Sequence, residues 1–244
     1  MGLISDYFDA VASLVTQIRK DESEKIAEVA GICAESIARG GVIHIHDTGH
    51  MLNSELVHRA GGLALLTPFS FSLNVSNPNA FRERTNARPG LIAETIGLAL
   101  KRSNMRPGDV LFVGSVSGKS ESVVELAIQA RAAGMTVVAL TSLEYSSTLK
   151  SEHPSGKRLF EVADIAIDNH APYGDAMLET GGLDVKACPA SGIAAACIMW
   201  AITAGVIEKL LERGIAPTVF RSVNAPGGPE DVKARQERYA QLGY

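Results

Sequence analysis

Aromatic side chains are scarce, 5 % of the chain with a single tryptophan, and cysteine is scarcer, three residues in 244. The odd count of cysteines, Cys33, Cys188 and Cys197, shows no paired metal spacing. That argues against a disulfide framework and for a reducing, cytoplasmic setting. Positive charge is not in excess. Lys and Arg number 23 against 27 Asp and Glu, a formal net charge of −4, so the basic surface that nucleic acid requires is lacking. The first ten residues carry Asp6 and Asp9 and no basic region, which speaks against a signal peptide. Asp6 also stands where an N-myristoylation signal asks for Ser or Thr. One apolar stretch, Ser191 to Ile207, must be weighed as a membrane span. It is short, rich in Ala and Gly, and closed by Glu208-Lys209 and Glu212-Arg213. It reads as a helix buried in the core or in a subunit interface, with no membrane partner.

What is present is an ordinary globular composition, 46 % hydrophobic and 20 % charged. The length suits one α/β domain over residues 1–244 with a sizeable core. Helical periodicity marks two N-terminal helices within residues 1–40, one through Ile4, Phe8, Val11 and Ile18 and one through Ile26, Val29, Cys33 and Ile37, stopped by Gly40-Gly41. Short apolar runs predict strands at Val42–Ile45, Leu63–Leu66, Asp109–Val113, Thr136–Leu140 and Ala163–Ile167. Helices are expected at Met51–Ala60, Leu91–Lys101, Ser122–Ala133 and Ser191–Arg213. Thr67–Pro89 lacks a period and reads as a long loop of the kind that often serves as a lid. Residues 226–244 read as a polar, peripheral tail. Strands alternating with helices predict a doubly wound, flavodoxin-like parallel sheet of about five strands, flanked by helices.

The most informative stretch is the predicted strand that runs into Gly114-Ser115-Val116-Ser117-Gly118-Lys119-Ser120 and then directly into a helix. Backbone N–H groups and the dipole at a helix start favour an anion, and three hydroxyls between glycines can wrap one closely. The geometry asks for a phosphate. A nucleotide-binding P-loop needs a glycine five residues before Gly118, where Val113 stands, so an NTPase is disfavoured. The next strand ends in Thr141-Ser142, and carboxyl ends of adjacent parallel strands face one crevice, so these two hydroxyls join the candidate site.

SVSGKS, the helix after it and VVALTS together resemble the second signature of SIS (sugar isomerase) domains. VIHIHDTGHMLNSE, residues 42–55, resembles the first strand, turn and helix of that family, and Arg59 to Leu63 the stretch that follows. Residues 143–168, Tyr173 to Ala176, Pro189 to Ser191 and Ser222 to Gly228 are similar to a phosphoheptose-isomerase-like branch. The resemblance covers nearly the whole chain. It implies a phosphorylated sugar as partner, a homodimer or homotetramer, and no cofactor. Carried over by position, Ser115, Ser117, Gly118 and Ser120 hold the phosphate, with Thr141 and Ser142 nearby and Thr48 and Gly49 contributing from the first turn. Lys119 sits at a variable position and reads as a solvated lysine. The first turn, Asp47-Thr48-Gly49-His50-Met51, is shorter than the family's usual Gly-rich form, which implies altered sugar contacts there.

Aldose–ketose isomerisation needs a base near two adjacent carbons and an acid for ring opening. Glu55 occupies the position that resembles the catalytic Glu of phosphoheptose isomerases and is the first candidate for the base. His50, on the turn, is the candidate acid. His58, Asp175 and Glu179 are further candidates, with His170 and Ser191 behind them. His44, His46, Asp47 and His50 are similar to a metallohydrolase cluster, but the spacing fails. No metal is expected, and one of His44 and His46 is expected in the core, bonded to a backbone carbonyl. Two alternatives to an isomerase stay open: a phosphosugar sensor without turnover, and a lyase or etherase acting on an amino-sugar phosphate.

Overall fold

The computed structural model describes residues 2–49, 52–76, 81 and 89–244. In chain order the elements are α1 (Leu3–Ala38), β1 (Ile43–Asp47), α2 (Leu52–Leu56), β2 (Leu66–Pro68), α3 (Leu91–Arg102), β3 (Val110–Gly114), α4 (Glu121–Ala132) and β4 (Thr136–Thr141). There follow α5 (Leu143–Thr148), α6 (Leu159–Val162), β5 (Ile165–Asp168), β6 (Ala176–Leu178), β7 (Ala187–Pro189), α7 (Ser191–Glu212) and α8 (Gly228–Leu242). Five strands form one parallel sheet in the order β2-β1-β3-β4-β5, and β6 and β7 pair as a separate antiparallel hairpin.

The sheet is apolar on both faces because its strands alternate into two cores. Val110 and Phe112 of β3, with Ile43 and Ile45 of β1 and Val138 and Leu140 of β4, face α1 and α7. Leu111 and Val113, with Val137 and Ala139, face α3, α4 and α6. Cys33, buried in the first of these layers, has its thiol pushed up to about 12 by desolvation, which leaves it unreactive.

Instead of the two expected N-terminal helices, one helix of 36 residues runs unbroken. The polar stretch between Ile18 and Ile26 contains no Gly or Pro, and Glu22 continues the buried stripe from within it. Its carboxylate is paired with Lys25 at 2.8 Å and accepts the Asp168 backbone N–H at 3.3 Å. The second strand also sits later than the apolar run suggested. Leu63 bridges Val219, and Ala64 N donates to Thr218 O, so this run pairs with the C-terminal segment and β2 begins at Leu66. Pro68 is tolerated there because β2 is an edge strand. The expected helix through Ala60 ends at Leu56, and His58 is left-handed at φ 56°.

The polar tail forms α8, which lacks an apolar stripe and so gave no periodic signal. Arg235 donates to Val219 O at 2.9 Å, Arg238 to Ala216 O at 2.7 Å, and the Thr218 hydroxyl to Tyr244 O at 2.8 Å. α5, α6 and the β6–β7 hairpin were not anticipated. Of the long loop, residues 77–80 and 82–88 lie outside the described residues.

α7 is apolar and long enough to cross a membrane by length and composition. Its Ala194, Ile198, Ile202 and Val206 are buried with Val29, Ala30 and Cys33 of α1 in one core layer. The helices meet closely at Gly205, where a Cβ would stand 2.8 Å from the Ala30 Cβ. Gly205→Val should therefore overpack this crossing. Its expected cost is about 1–3 kcal/mol, read as a Tm lowered by roughly 2–4 °C for each kcal/mol. An unchanged Tm would show that the two helices have room to part.

Candidate functional site

In a parallel sheet of this strand order the crevice opens at the carboxyl ends of the strands, where the order reverses between β1 and β3. Two turns meet there. The turn after β1 is fixed by Gly49 N donating to Asp47 Oδ1 at 3.0 Å. It is tied to its neighbour by Thr48, whose hydroxyl and N–H both donate to Gly114 O, at 3.0 and 3.4 Å. His50, the candidate acid, lies outside the described residues.

The second turn runs from Ser115 into α4. Ser115 is buried, and its Oγ accepts from Gly118 N at 3.3 Å, closing the loop on itself. Gly118 is left-handed at φ 56°, and a Cβ there would lie 3.2 Å from Thr141 Oγ1, Ser146 Oγ and the Leu159 Cβ. Ser117 and Ser120 are half-buried. Ser120 is the N-cap residue of α4, yet its side chain makes no cap bond. The first-turn N–H groups of the helix have no intrahelical acceptor. Two half-buried serines thus flank the start of this helix, next to the edge where the crevice opens.

Thr141 and Ser142 lie beneath the loop. Both are wholly buried. The Thr141 hydroxyl donates to Val116 O at 3.0 Å, and the Ser142 hydroxyl donates to Ala171 O at 2.6 Å while accepting from Tyr145 N at 3.1 Å. Their hydroxyls tie the end of β4 to the Ser-rich loop and to the segment after β5. Lys119 is exposed and paired with Glu152 at 2.6 Å, which holds its ammonium above the usual lysine range.

Glu55 stands on α2 with both carboxylate oxygens engaged. Oε2 accepts from Arg59 Nη1 at 2.7 Å and Oε1 from Trp200 Nε1 at 3.1 Å. It lines a cavity of about 750 Å³ together with Tyr7, Gly49, Asp175, Cys188, Pro189 and the first turns of α7. Gly49 joins this cavity to the Ser-rich loop, since its neighbour Thr48 is bonded to the residue before Ser115. Trp200 was not singled out from sequence. The available signal was a lone indole N–H within an apolar helix, which needs an acceptor when buried.

The remaining candidates separate. Asp175 lines the cavity, but its carboxylate accepts from Ser191 N at 2.8 Å, Ser191 Oγ at 2.7 Å and Ala190 N at 3.2 Å. It caps α7. His58 lies beyond the end of α2, against Phe220 in a second cavity, rather than on the Glu55 face. Glu179 is 81 % exposed on the hairpin, paired with Lys186, and does not reach the crevice. His170 packs beside Asp168 and the Glu22 carboxylate.

The strand histidines go to different partners. His44 pairs with buried Asp109 at 3.0 Å. His46 bonds Phe69 O at 3.0 Å and stacks on Phe71, as expected for a core histidine, and desolvation pushes its imidazole below the usual histidine range. Among the described residues no three His, Cys, Asp or Glu gather as metal ligands.

A family model described as the SIS domain matches residues 6–142, from α1 through β4. A UPF0309 protein of Shouchella clausii is 34 % identical over 244 residues, covering 98 % of this chain and 97 % of its own. A UPF0309 protein of Listeria innocua is 35 % identical over 239 residues, covering 97 % and 96 %. Among solved structures, a phosphoheptose isomerase from Francisella tularensis superposes with a TM-score of 0.51 at 14 % identity, covering 84 % of this chain and 96 % of that one. A putative phosphosugar isomerase involved in capsule formation from Bacteroides fragilis gives 0.51 at 15 %, covering 87 % and 91 %. At these identities the structural likeness is one of fold.

Gly118→Ala tests the loop. A left-handed non-glycine residue costs about 1–2 kcal/mol, and the new Cβ has three neighbours to displace. Urea unfolding should register a loss of that size, and no loss would show that the loop has another conformation.

Proposed function

The chain belongs to the SIS domain family, and on that footing we propose that it binds a phosphorylated sugar and interconverts its aldose and ketose forms. The supporting observation is the junction at the β1–β3 switch point. There the turn of Thr48 and Gly49, which lines the cavity that holds Glu55, is bonded to Gly114, the residue that opens the Ser-rich loop before α4. The phosphate takes the loop N–H groups and the two hydroxyls. The sugar chain then extends past Gly49 toward Glu55.

In this reading the Glu55 carboxylate takes the proton from C2 of the open-chain aldose. The C2–H electrons form a C1–C2 double bond as the carbonyl oxygen gains a proton, giving an enediol. Return of the proton from Glu55 to C1, with loss of the O2 proton as the C2 carbonyl forms, yields the ketose. Arg59 and Trp200 orient the carboxylate, and His50 is assigned the ring-opening step. Cytoplasmic location and a homodimer or homotetramer belong to the same proposal. Leu3, Ile4 and Phe8, exposed on the first turns of α1, support an assembly of copies.

A sensor without turnover is the second reading, favoured by one observation. Both oxygens of Glu55 already hold donors, Arg59 and Trp200.

Thermal shift against sugar phosphates and their unphosphorylated parents tests the binding step. Ser117→Ala should weaken the phosphosugar by about 10- to 100-fold, the loss of one hydrogen bond to a charged group. Equal shifts from parent and phosphorylated sugars would remove the phosphate loop from the reading. Glu55→Gln should lower turnover by about 10²- to 10⁴-fold while binding survives. Trp200→Phe should lower turnover by less. Wild-type binding with no turnover of any bound sugar selects the sensor.

A further inference from the structure

The cavity beside Glu55 is unlike a site for a bare sugar phosphate. Its walls are largely apolar, with Tyr7 from α1, Pro189 from the hairpin, and Ile193 and Ala196 from α7. No Lys or Arg stands among its described lining residues. Its two carboxylates are both satisfied internally, Glu55 by Arg59 and Trp200, and Asp175 by Ser191 and Ala190. Asp175 also occupies the amino end of α7, so the positive end of that dipole is already neutralised and offers nothing to an anion. A second phosphate or a carboxylate placed here meets two carboxylates, and the nearby Arg59 guanidinium is already paired with Glu55. An ammonium group gains little, because Arg59 and the helix dipole already balance the carboxylates.

Size points the same way. At about 750 Å³ the cavity falls in the range that holds drug-sized ligands, so a sugar ring leaves space over. The uncharged apolar wall of Pro189, Ile193 and Ala196 is what that space offers. The carboxylates keep lone pairs for a donor, since an ionised carboxylate has about four acceptor positions.

Resting on the phosphosugar reading above, we propose that the preferred ligand carries one anionic group, its phosphate, and at the other end an uncharged acylamino substituent. The acyl methyl or chain lies on Pro189, Ile193 and Ala196, and the amide N–H is donated toward a carboxylate. Placement on the sugar matters for turnover. An acylamino group on C2 leaves no oxygen there to become a carbonyl, so such a sugar is bound without aldose–ketose exchange. On C3 or C4 it is compatible with exchange.

Binding rather than turnover is therefore the test. Isothermal titration of the full chain would use hexose 6-phosphates of the gluco, manno and galacto series, each as parent, 2-amino and 2-acetamido form, with 6-phosphogluconate as the doubly anionic probe. In the best-bound series the acetamido form should bind at least tenfold more tightly than parent and amine, and 6-phosphogluconate most weakly. Ala196→Leu fills the space and should bring the acetamido-to-parent ratio toward one. Ile193→Ala removes the wall and should lower the same ratio, which keeps the test open if the larger side chain prevents folding. Parent or amine binding as tightly as the acetamido form, or ratios untouched by both variants, overturns the inference and leaves phosphosugar binding standing. No binding of any hexose 6-phosphate overturns the inference, and the phosphosugar reading falls with it when the wider thermal-shift panel is silent as well.

Discussion

Burial of β3 on both faces is the constraint from which the site follows. Val110 and Phe112 are sealed on one side and Leu111 and Val113 on the other, each almost wholly excluded from water. The strand can therefore neither slide nor tilt without exposing one core. Its last residue, Gly114, presents a carbonyl at a fixed point, and Thr48 of the adjacent turn is bonded to it twice. Parallel pairing with β1 and β4 places three loops at the same edge, and the β1–β3 reversal leaves a gap between two of them. The Ser-rich loop and the turn before α2 are thus held in a fixed relation by backbone geometry, before any ligand is considered.

The acid-bearing cavity is assembled from elements outside the sheet. α1 lends Tyr7, the hairpin lends Cys188 and Pro189, and α7 supplies both the apolar wall and the Trp200 indole that bonds Glu55. α7 starts at this point because Asp175, left-handed at φ 67°, brings its carboxylate under the helix amino end. One acidic group therefore organises the wall, and the other lines the space it encloses. A Ser-rich helix start and an apolar, carboxylate-bearing body give the crevice its two-ended character.

Much of this was legible in local sequence. The runs VLFV and TVVAL marked buried strands to within a residue or so, and the serines and glycines at 114–120 marked the anion loop. The break expected between two N-terminal helices falls in the charged stretch at residues 19–25, where the buried Glu22 carboxylate is satisfied by Lys25 and the distant Asp168 N–H. α8 left no periodic trace because carbonyl acceptors on residues 216–219 hold it, not an apolar stripe. Thr141 and Ser142 looked like ligands because their position on the strand was right, while the direction of their hydroxyls depends on Val116 and Ala171.

The sequence by itself determined the layered α/β class, the position of the phosphate-like loop and the presence of a carboxylate after the first turn. Each of these is written in neighbouring residues, through hydrophobic period, glycine placement and helix starts. Only the tertiary structure decided that Glu55 is held by Arg59 and by Trp200, 145 positions away, that Asp175 caps α7, and that Glu179 turns to solvent. Those outcomes depend on hydrogen-bond partners far apart in the chain. A carboxylate is the same in sequence whether its partner is a helix end, an indole or water, and only packing makes the choice.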